Sequence, residues 1–562
     1  MNQMLKIRKT AVAIAVGATL ILSACGGGDG DGSPEPKVVD QVLNSIQALS
    51  TVREVAFVSP EPAACPTTSH PFSTMLCSVG VDYDQTGTKP LDIKKDYGYT
   101  EKEFFQSGKA NVYDLGADER AVVSSADHAY TTRLLVRYPS DPAKFSGRVF
   151  IDILNASSGV DLEDTWRRSW NHMMLSGDAY IGITSKSLTA DALKKFDPER
   201  YADINWKVDG KNEDGLFWDM LSQLGTQLRQ PGTGGILGRL KPQFVYLGGQ
   251  SQSGFYMNTY LTAFTDRLEK AGPNGKPLFD GYLNLVGPGS MPLRSESGVP
   301  SVSVPKKLYP ATSVPQIVLM SEAESRFAGG GGGGGFPVFP PYSRRADANS
   351  AVDKFRFYEV AGAPHADPTS PIIPINTEIA KAKADGTSRA PKAYFSGHEE
   401  PALQLDDFVT GALENLHAWA AKGTPAPAAQ ANWMWYSITK DVKGNDVYDP
   451  LRDQFGNALG GLRSPLIDVP LYQYLGMGKT ATGGTALDWG SMIRLPDATI
   501  NGLYDGSCIK YQARFNAAAD ALLGGAYIVK HDADKVKTLG ARLASQPSEI
   551  NPAVSWASTP CN

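Results

Sequence analysis

The sequence predicts an α/β fold: a mostly parallel central sheet with helices on both faces, carrying N-terminal and C-terminal extensions. Three observations lead there. Short, near-continuous apolar runs recur from residue 149 onward, as strands buried on both faces do. Segments with helical spacing separate them, which is the connection that parallel strands need. At residues 244–264 one such run passes through a tight turn of small residues straight into a helix (FVYLGGQSQSG, then FYMNTYLTAF).

Taken in order, residues 50–127 read as short strands and turns, among them SVGVDYD and EKEFFQSGKANVYDL. Residues 131–139 (TTRLLVRYP) alternate as a strand should, and residues 149–155 (VFIDILN) form a buried strand. A helix over 161–175 and an apolar strand over 179–185 follow. A helix over 214–229 comes next, then the strand before Ser251. Further strands are expected at 282–287, 316–320 and 355–362. Residues 403–422 form an amphipathic helix, closed by Gly423. From about residue 433 the pattern turns loop-rich with scattered helices, either an appended subdomain or a wrapping extension.

The chain has 562 residues, 42% of them hydrophobic and 9% aromatic, which suits a large α/β protein with a substantial core. A net charge of -5 with no basic run gives no footing for nucleic acid. The first residues are an address. Lys6, Arg8 and Lys9 precede an apolar stretch at 11–22, too short to span a bilayer comfortably. It ends in Leu22-Ser23-Ala24-Cys25, which resembles the bacterial lipobox. That resemblance implies cleavage before Cys25 and diacylglyceryl attachment to its thiol. With Gly26 following, it implies the outer membrane of the cell envelope. Residues 25–50, rich in Gly, Asp and Pro at their start, read as a flexible tether. Four cysteines remain, an even number in an exported chain. The expected pairs are Cys65–Cys77 and Cys508–Cys561, each within one terminal region. No CxxC or histidine cluster accompanies them, so no metal site is expected, and no cofactor.

Chemistry concentrates at the turn. A serine on a tight strand-to-helix turn is forced outward with its hydroxyl exposed, and residues packed against the turn must be small. Gly249-Gln250-Ser251-Gln252-Ser253 fits that requirement, with serine in place of the usual last glycine. A nucleophilic serine needs a base and a carboxylate that fixes the base's tautomer. In parallel-sheet scaffolds these follow in the order Ser, acid, His. SVPQIVLMSEAES offers Glu322 and Glu324 in a turn after a strand. FRFYEVAGAPHAD leads from a later strand into a loop with His365. The other histidines, His70, His128, His172, His398, His417 and His531, lack this context, and Asp367 lies too close to His365 to orient it. An oxyanion needs two N–H donors. The amide of Gln252 is one, and Asn155 or Ala156 in the early loop NASSGVD is the other. Trp166 and Trp170 share a helix face and read as core packing. The seven glycines at 329–335 read as a tolerated surface insertion, with a flexible flap as the functional alternative.

GQSQSG, EVAGAPHAD, LNASSGVDLEDTW and GNALGGLRSPLIDVP together resemble a family of large bacterial α/β-hydrolase-domain proteins. KEFFQSGKANVYD and LENLHAWAAKGTPAP fit it too, and the likeness covers roughly residues 95–475. The segment at Pro315 resembles the late-strand motif of the superfamily, with Ser321 at the Gly position and Glu324 at the Asp position. This favours Glu324 over Glu322 as the acid. The family has Ser-Glu-Thr-Asp where this chain has Ser321-Glu322-Ala323-Glu324. The resemblance implies an α/β-hydrolase fold and carboxylic ester hydrolysis. The substrate would be a small or polymeric ester, and the partner a membrane held through the lipid anchor.

The expected organisation is a signal peptide at 1–24, a tether at 25–50, the α/β domain at 51–430 and the C-terminal part at 431–562. The leading reading is a lipid-anchored serine esterase. The alternatives are a β-diketone or amide hydrolase with the same three residues, and a non-catalytic binding lipoprotein on the same fold.

Overall fold

The apolar runs around the Ser251 turn form the inner strands of one sheet in the computed structural model. It describes residues 40–55, 93–157, 159–196, 198–230, 235–295, 305–326, 344–366, 394–440, 444, 446–486, 490–548 and 550–561. The leader with Cys25, the tether up to residue 39, the SVGVDYD strand, Cys65, Cys77, His70, the glycine run at 329–335 and Asp367 lie outside the described residues. Among the described residues, no helix is long and apolar enough to cross a membrane.

The sheet's strands are β1 (Thr51–Glu54), β2 (Tyr99–Leu115), β3 (Ala121–Pro139), β4 (Arg148–Ile153) and β5 (Ala179–Ile183). They continue with β6 (Phe244–Gln250), β7 (Gly281–Leu285), β8 (Pro315–Ser321), β9 (Ala348–Ser350) and β10 (Asp353–Val360). Their order across the sheet is β1-β2-β3-β5-β4-β6-β7-β8-β10-β9. The run from β5 to β10 is parallel, and β1, β2, β3 and β9 are added antiparallel at its two edges. The α/β expectation therefore holds, with one difference at the N-terminal side. EKEFFQSGKANVYDL is not a short strand. It lies in the 17-residue β2, which pairs along nearly its whole length with the 19-residue β3. Local alternation there is too irregular to reveal the pairing, because register shifts after Ala110 and Val112 break the period.

Period-two alternation in the central strands divides the core between the two faces of the sheet. Val149, Ile151 and Ile153 of β4 and Val245 and Leu247 of β6 join one cluster. Helices α2 (Phe217–Arg229) and α3 (Gln252–Ala271) cover it through Leu221, Leu224, Tyr260 and Phe264. Phe150 and Tyr246 point the other way, into a second cluster. That cluster is covered by α1 (Asp164–Ser176) and α4 (Asp406–Lys422) and by three C-terminal helices. These are α5 (Asp497–Tyr504), α6 (Cys508–Gly524) and α7 (Lys530–Ser545). Tyr504, Tyr511, Phe515 and Val536 of those helices share this core with Leu319 of β8 and Leu413 of α4. Residues 41–562 form one compact unit, so the region after residue 433 is more helical and more deeply joined than its loop-rich composition suggests. A disulfide between Cys508 and Cys561 closes it.

Candidate active site

Strand β6 ends at Gln250 and helix α3 begins at Gln252, leaving Ser251 alone on the turn. Its backbone stands at φ 55°, ψ −118°, a conformation that side chains other than glycine rarely adopt and that costs about 1–3 kcal/mol. The turn is tolerated because its neighbours are small. A Cβ on Gly249 would meet the Ser253 carbonyl oxygen at 2.6 Å, and one on Gly254 would meet Asn284 Oδ1 at 2.6 Å. Ser253 fits where a glycine is usual because Gly249, across from it, has no side chain.

The two later strands deliver their loops to the same place. β8 runs into a short 3₁₀ turn, Glu322–Arg326, and β10, paired parallel with β8, runs into the loop that carries His365. His365 Nε2 lies 2.8 Å from Ser251 Oγ, and His365 Nδ1 lies 2.5 Å from Glu324 Oε1. The Glu324 side chain is 3% exposed and that of His365 12%, so the line runs from buried carboxylate to accessible hydroxyl. Glu324 Oε2 accepts the Ser321 N–H at 2.6 Å, which locks the carboxylate onto its own turn. This geometry makes the imidazole a proton acceptor at Nε2, with Nδ1–H donating to the carboxylate.

Glu322 does not reach His365. Its carboxylate accepts from the Gly362 N–H at 2.7 Å and from Arg452 at 2.7 Å, so it takes part in holding the loop and is not idle. The early loop lies against the turn: Asn155 Nδ2 donates to the Gln250 carbonyl at 3.0 Å and to Gln250 Oε1 at 2.8 Å. Asn155's own amide donates to the Leu162 carbonyl at 2.9 Å. Of the two residues expected there, Ala156 therefore has the amide with no carbonyl partner among the described residues. The amide of Gln252 opens α3, where first-turn N–H groups have no intrahelical acceptor.

Two arginines of β3 anchor this early loop. Arg133 pairs with Glu103 and with Asp161, and Arg137 with Glu101 and Glu163, all buried. Burial pushes the Asp152 carboxyl of β4 up to about 8, against the opposing pull of hydrogen bonds from Thr165 and Tyr180. Asp152 thereby ties the start of α1 to the sheet. Arg168 of α1 pairs with Asp406 at 2.6 Å and reaches the His365 carbonyl at 3.4 Å. Sequence reasoning missed Arg168, since a charged residue in an amphipathic helix carries no signal of what it faces.

The remaining predicted residues lie apart from this line. Trp166 is fully buried with the Arg137 guanidinium 4.7 Å over its ring, and Trp170 meets Tyr97 edge-on, so both pack. His417 bonds Tyr246, His172 bonds Glu414, His398 bonds Ser491, His128 bonds Ser125, and His531 lies against Asn171. Among the described residues, no group of three or more His, Cys, Asp or Glu side chains is arranged to hold a metal ion.

Residues 59–538 match the sequence profile described as "Alpha/beta hydrolase domain". The chain belongs to this α/β-hydrolase domain family. No curated relative matches it. Solved structures with some likeness to this hydrolase domain include an α/β serine hydrolase without a lid from Xanthomonas campestris. It is 10% identical at TM-score 0.20, over 38% of this chain and 72% of that one. A dienelactone hydrolase from Anabaena variabilis is 14% identical at TM-score 0.19, over 39% and 75%. Esterase B from Lactobacillus rhamnosis is 13% identical at TM-score 0.20, over 39% and 66%.

Proposed function

We propose that the chain is an exported, lipid-anchored serine hydrolase that cleaves carboxylic esters through an acyl-enzyme intermediate. The observation that carries this reading is the hydrogen-bonded line Ser251–His365–Glu324, with Ser251 on a strained turn that aims its hydroxyl outward. Ser251 Oγ attacks the ester carbonyl carbon while His365 Nε2 takes its proton. Glu324 holds the imidazole tautomer and stabilises the imidazolium. The amides of Gln252 and Ala156 supply the oxyanion donors. As the tetrahedral intermediate collapses, the alcohol leaves with the proton from His365. Water then repeats the attack on the acyl-enzyme.

A fluorophosphonate probe and a panel of p-nitrophenyl and aromatic esters test the reading. Wild type should be labelled at Ser251 and turn over at least one ester, and Ser251→Ala should lose both while melting normally. A folded wild type that resists the probe would point instead to a binding protein on the same fold, and retained activity in Ser251→Ala would refute the serine mechanism. The lipobox at residues 22–25 supports the anchor. Mass spectrometry of protein from the native envelope should find an N-terminal acylated Cys25, absent in Cys25→Ala. An unmodified Cys25 would remove the anchor from the proposal.

A further inference from the structure

We infer that Glu322, the carboxylate that does not touch the imidazole, is a positioning residue that holds the histidine loop in register through the C-terminal region. The inference rests on the serine-hydrolase reading above. Glu322 Oε2 accepts the Gly362 N–H at 2.7 Å, three residues before His365. Oε1 accepts from Arg452 Nη2 at 2.7 Å and from the Gly476 N–H at 3.3 Å. One buried carboxylate thus joins the acid turn, the histidine loop and two points of the C-terminal region. The fit is close: a Cβ on Gly476 would stand 2.6 Å from Glu322 Cβ and 2.7 Å from the Ala363 carbonyl oxygen.

The same region is stitched to the end of β10 just before the loop. Leu462 N–H donates to the Glu359 carbonyl at 2.6 Å, and the Ala361 N–H donates to the Leu462 carbonyl at 3.0 Å. The loop carrying His365 is therefore held at Ala361 by Leu462, about a hundred positions later in the chain, and at Gly362 by Glu322, which Arg452 and Gly476 hold in turn. Charge explains why an ion pair is used. Glu322 and Glu324 share one short turn, and an unpaired buried carboxylate there would be costly and would compete for the imidazole. Arg452 satisfies Glu322 and draws it away, while Glu324 keeps its hydrogen bond to His365 Nδ1. Arg452 is itself held by the Gly456 carbonyl at 3.1 Å.

The test compares wild type, Glu322→Gln, Arg452→Met, Arg452→Lys and Ser251→Ala. The readouts are kcat and KM on one p-nitrophenyl ester, fluorophosphonate labelling rate, thermal melting, and the downfield proton resonance of His365 Nδ1–H. Glu322→Gln and Arg452→Met should lower kcat and labelling roughly tenfold to a hundredfold, with KM within about twofold. Both should broaden or abolish the downfield line. Arg452→Lys should recover part of the loss, and Ser251→Ala should keep the line. Normal kcat and an unchanged line in folded Glu322→Gln and Arg452→Met would overturn the inference. Should Glu322→Gln not fold, Arg452→Met decides alone, because its side chain is 29% exposed and can be trimmed without opening the core. Should wild type neither label nor turn over any ester, the functional reading falls, while the downfield line still decides the positioning role.

Discussion

Ser251, His365 and Glu324 differ in how replaceable they are, and the geometry says by how much. In the proposed mechanism Ser251 Oγ and His365 Nε2, 2.8 Å apart, take part directly in bond making and proton transfer. Ser251→Ala and His365→Ala should each lower kcat/KM on an ester by roughly 10⁴-fold or more, and the double variant little further, since such groups act as a unit. In that mechanism Glu324 acts only through His365 Nδ1, 2.5 Å away, and Gln can still accept the Ser321 N–H that fixes the side chain. Glu324→Gln should therefore lose less than Ser251→Ala, by about one to two orders of magnitude. Steady-state kinetics on one substrate checks the ranking, and an equal loss in all three would contradict it.

Strand β4 and helix α1 meet at Asp152, which accepts from the Thr165 hydroxyl at 2.8 Å and from Tyr180 at 2.9 Å. Burial holds its carboxyl up to about 8, far above its ordinary value of 3.8. Between those two values the folded state keeps a proton that the unfolded chain has given up. Stability from this group is thus full below the ordinary value and is lost as pH rises through the folded one. Asp152→Asn carries no titrating group, so its urea stability should fall less than wild type's between about pH 5 and about pH 8. Equal slopes in the two proteins would show that Asp152 is ionised in the fold.

The whole molecule places its C-terminal region against the second face of the sheet and closes it with the Cys508–Cys561 disulfide. A bridge spanning 53 residues constrains a long loop of the unfolded chain and should stabilise by about 2–4 kcal/mol. Cys508→Ser should lower the urea midpoint accordingly, and reduction of wild type should reproduce the shift. An unchanged midpoint in both would mean that packing of Tyr511 and Phe515 alone holds the region.

Local chemistry was enough to read the α/β class, the Ser251 turn and the chain order of the serine, carboxylate and histidine that the fold brings together. Apolar runs between helical segments and small residues around one serine are properties of neighbours along the chain. The long β2–β3 hairpin was not readable, because its pairing joins residues whose local pattern is interrupted at Ala110 and Val112. Local chemistry does not separate Glu322 from Glu324, two carboxylates on one turn; the resemblance to the late-strand motif favours Glu324, which is the one that meets His365. Arg452 and Gly362 meet the first and His365 the second, and the loops that bring them there are set by the parallel pairing of β8 with β10. The same holds for the amides of Asn155 and Ala156, of which the first donates to the Leu162 carbonyl. Sequence by itself determined which side chains were chemically able. Only the tertiary structure decided which of them face one another, because hydrogen-bond geometry depends on distances between segments far apart in the chain.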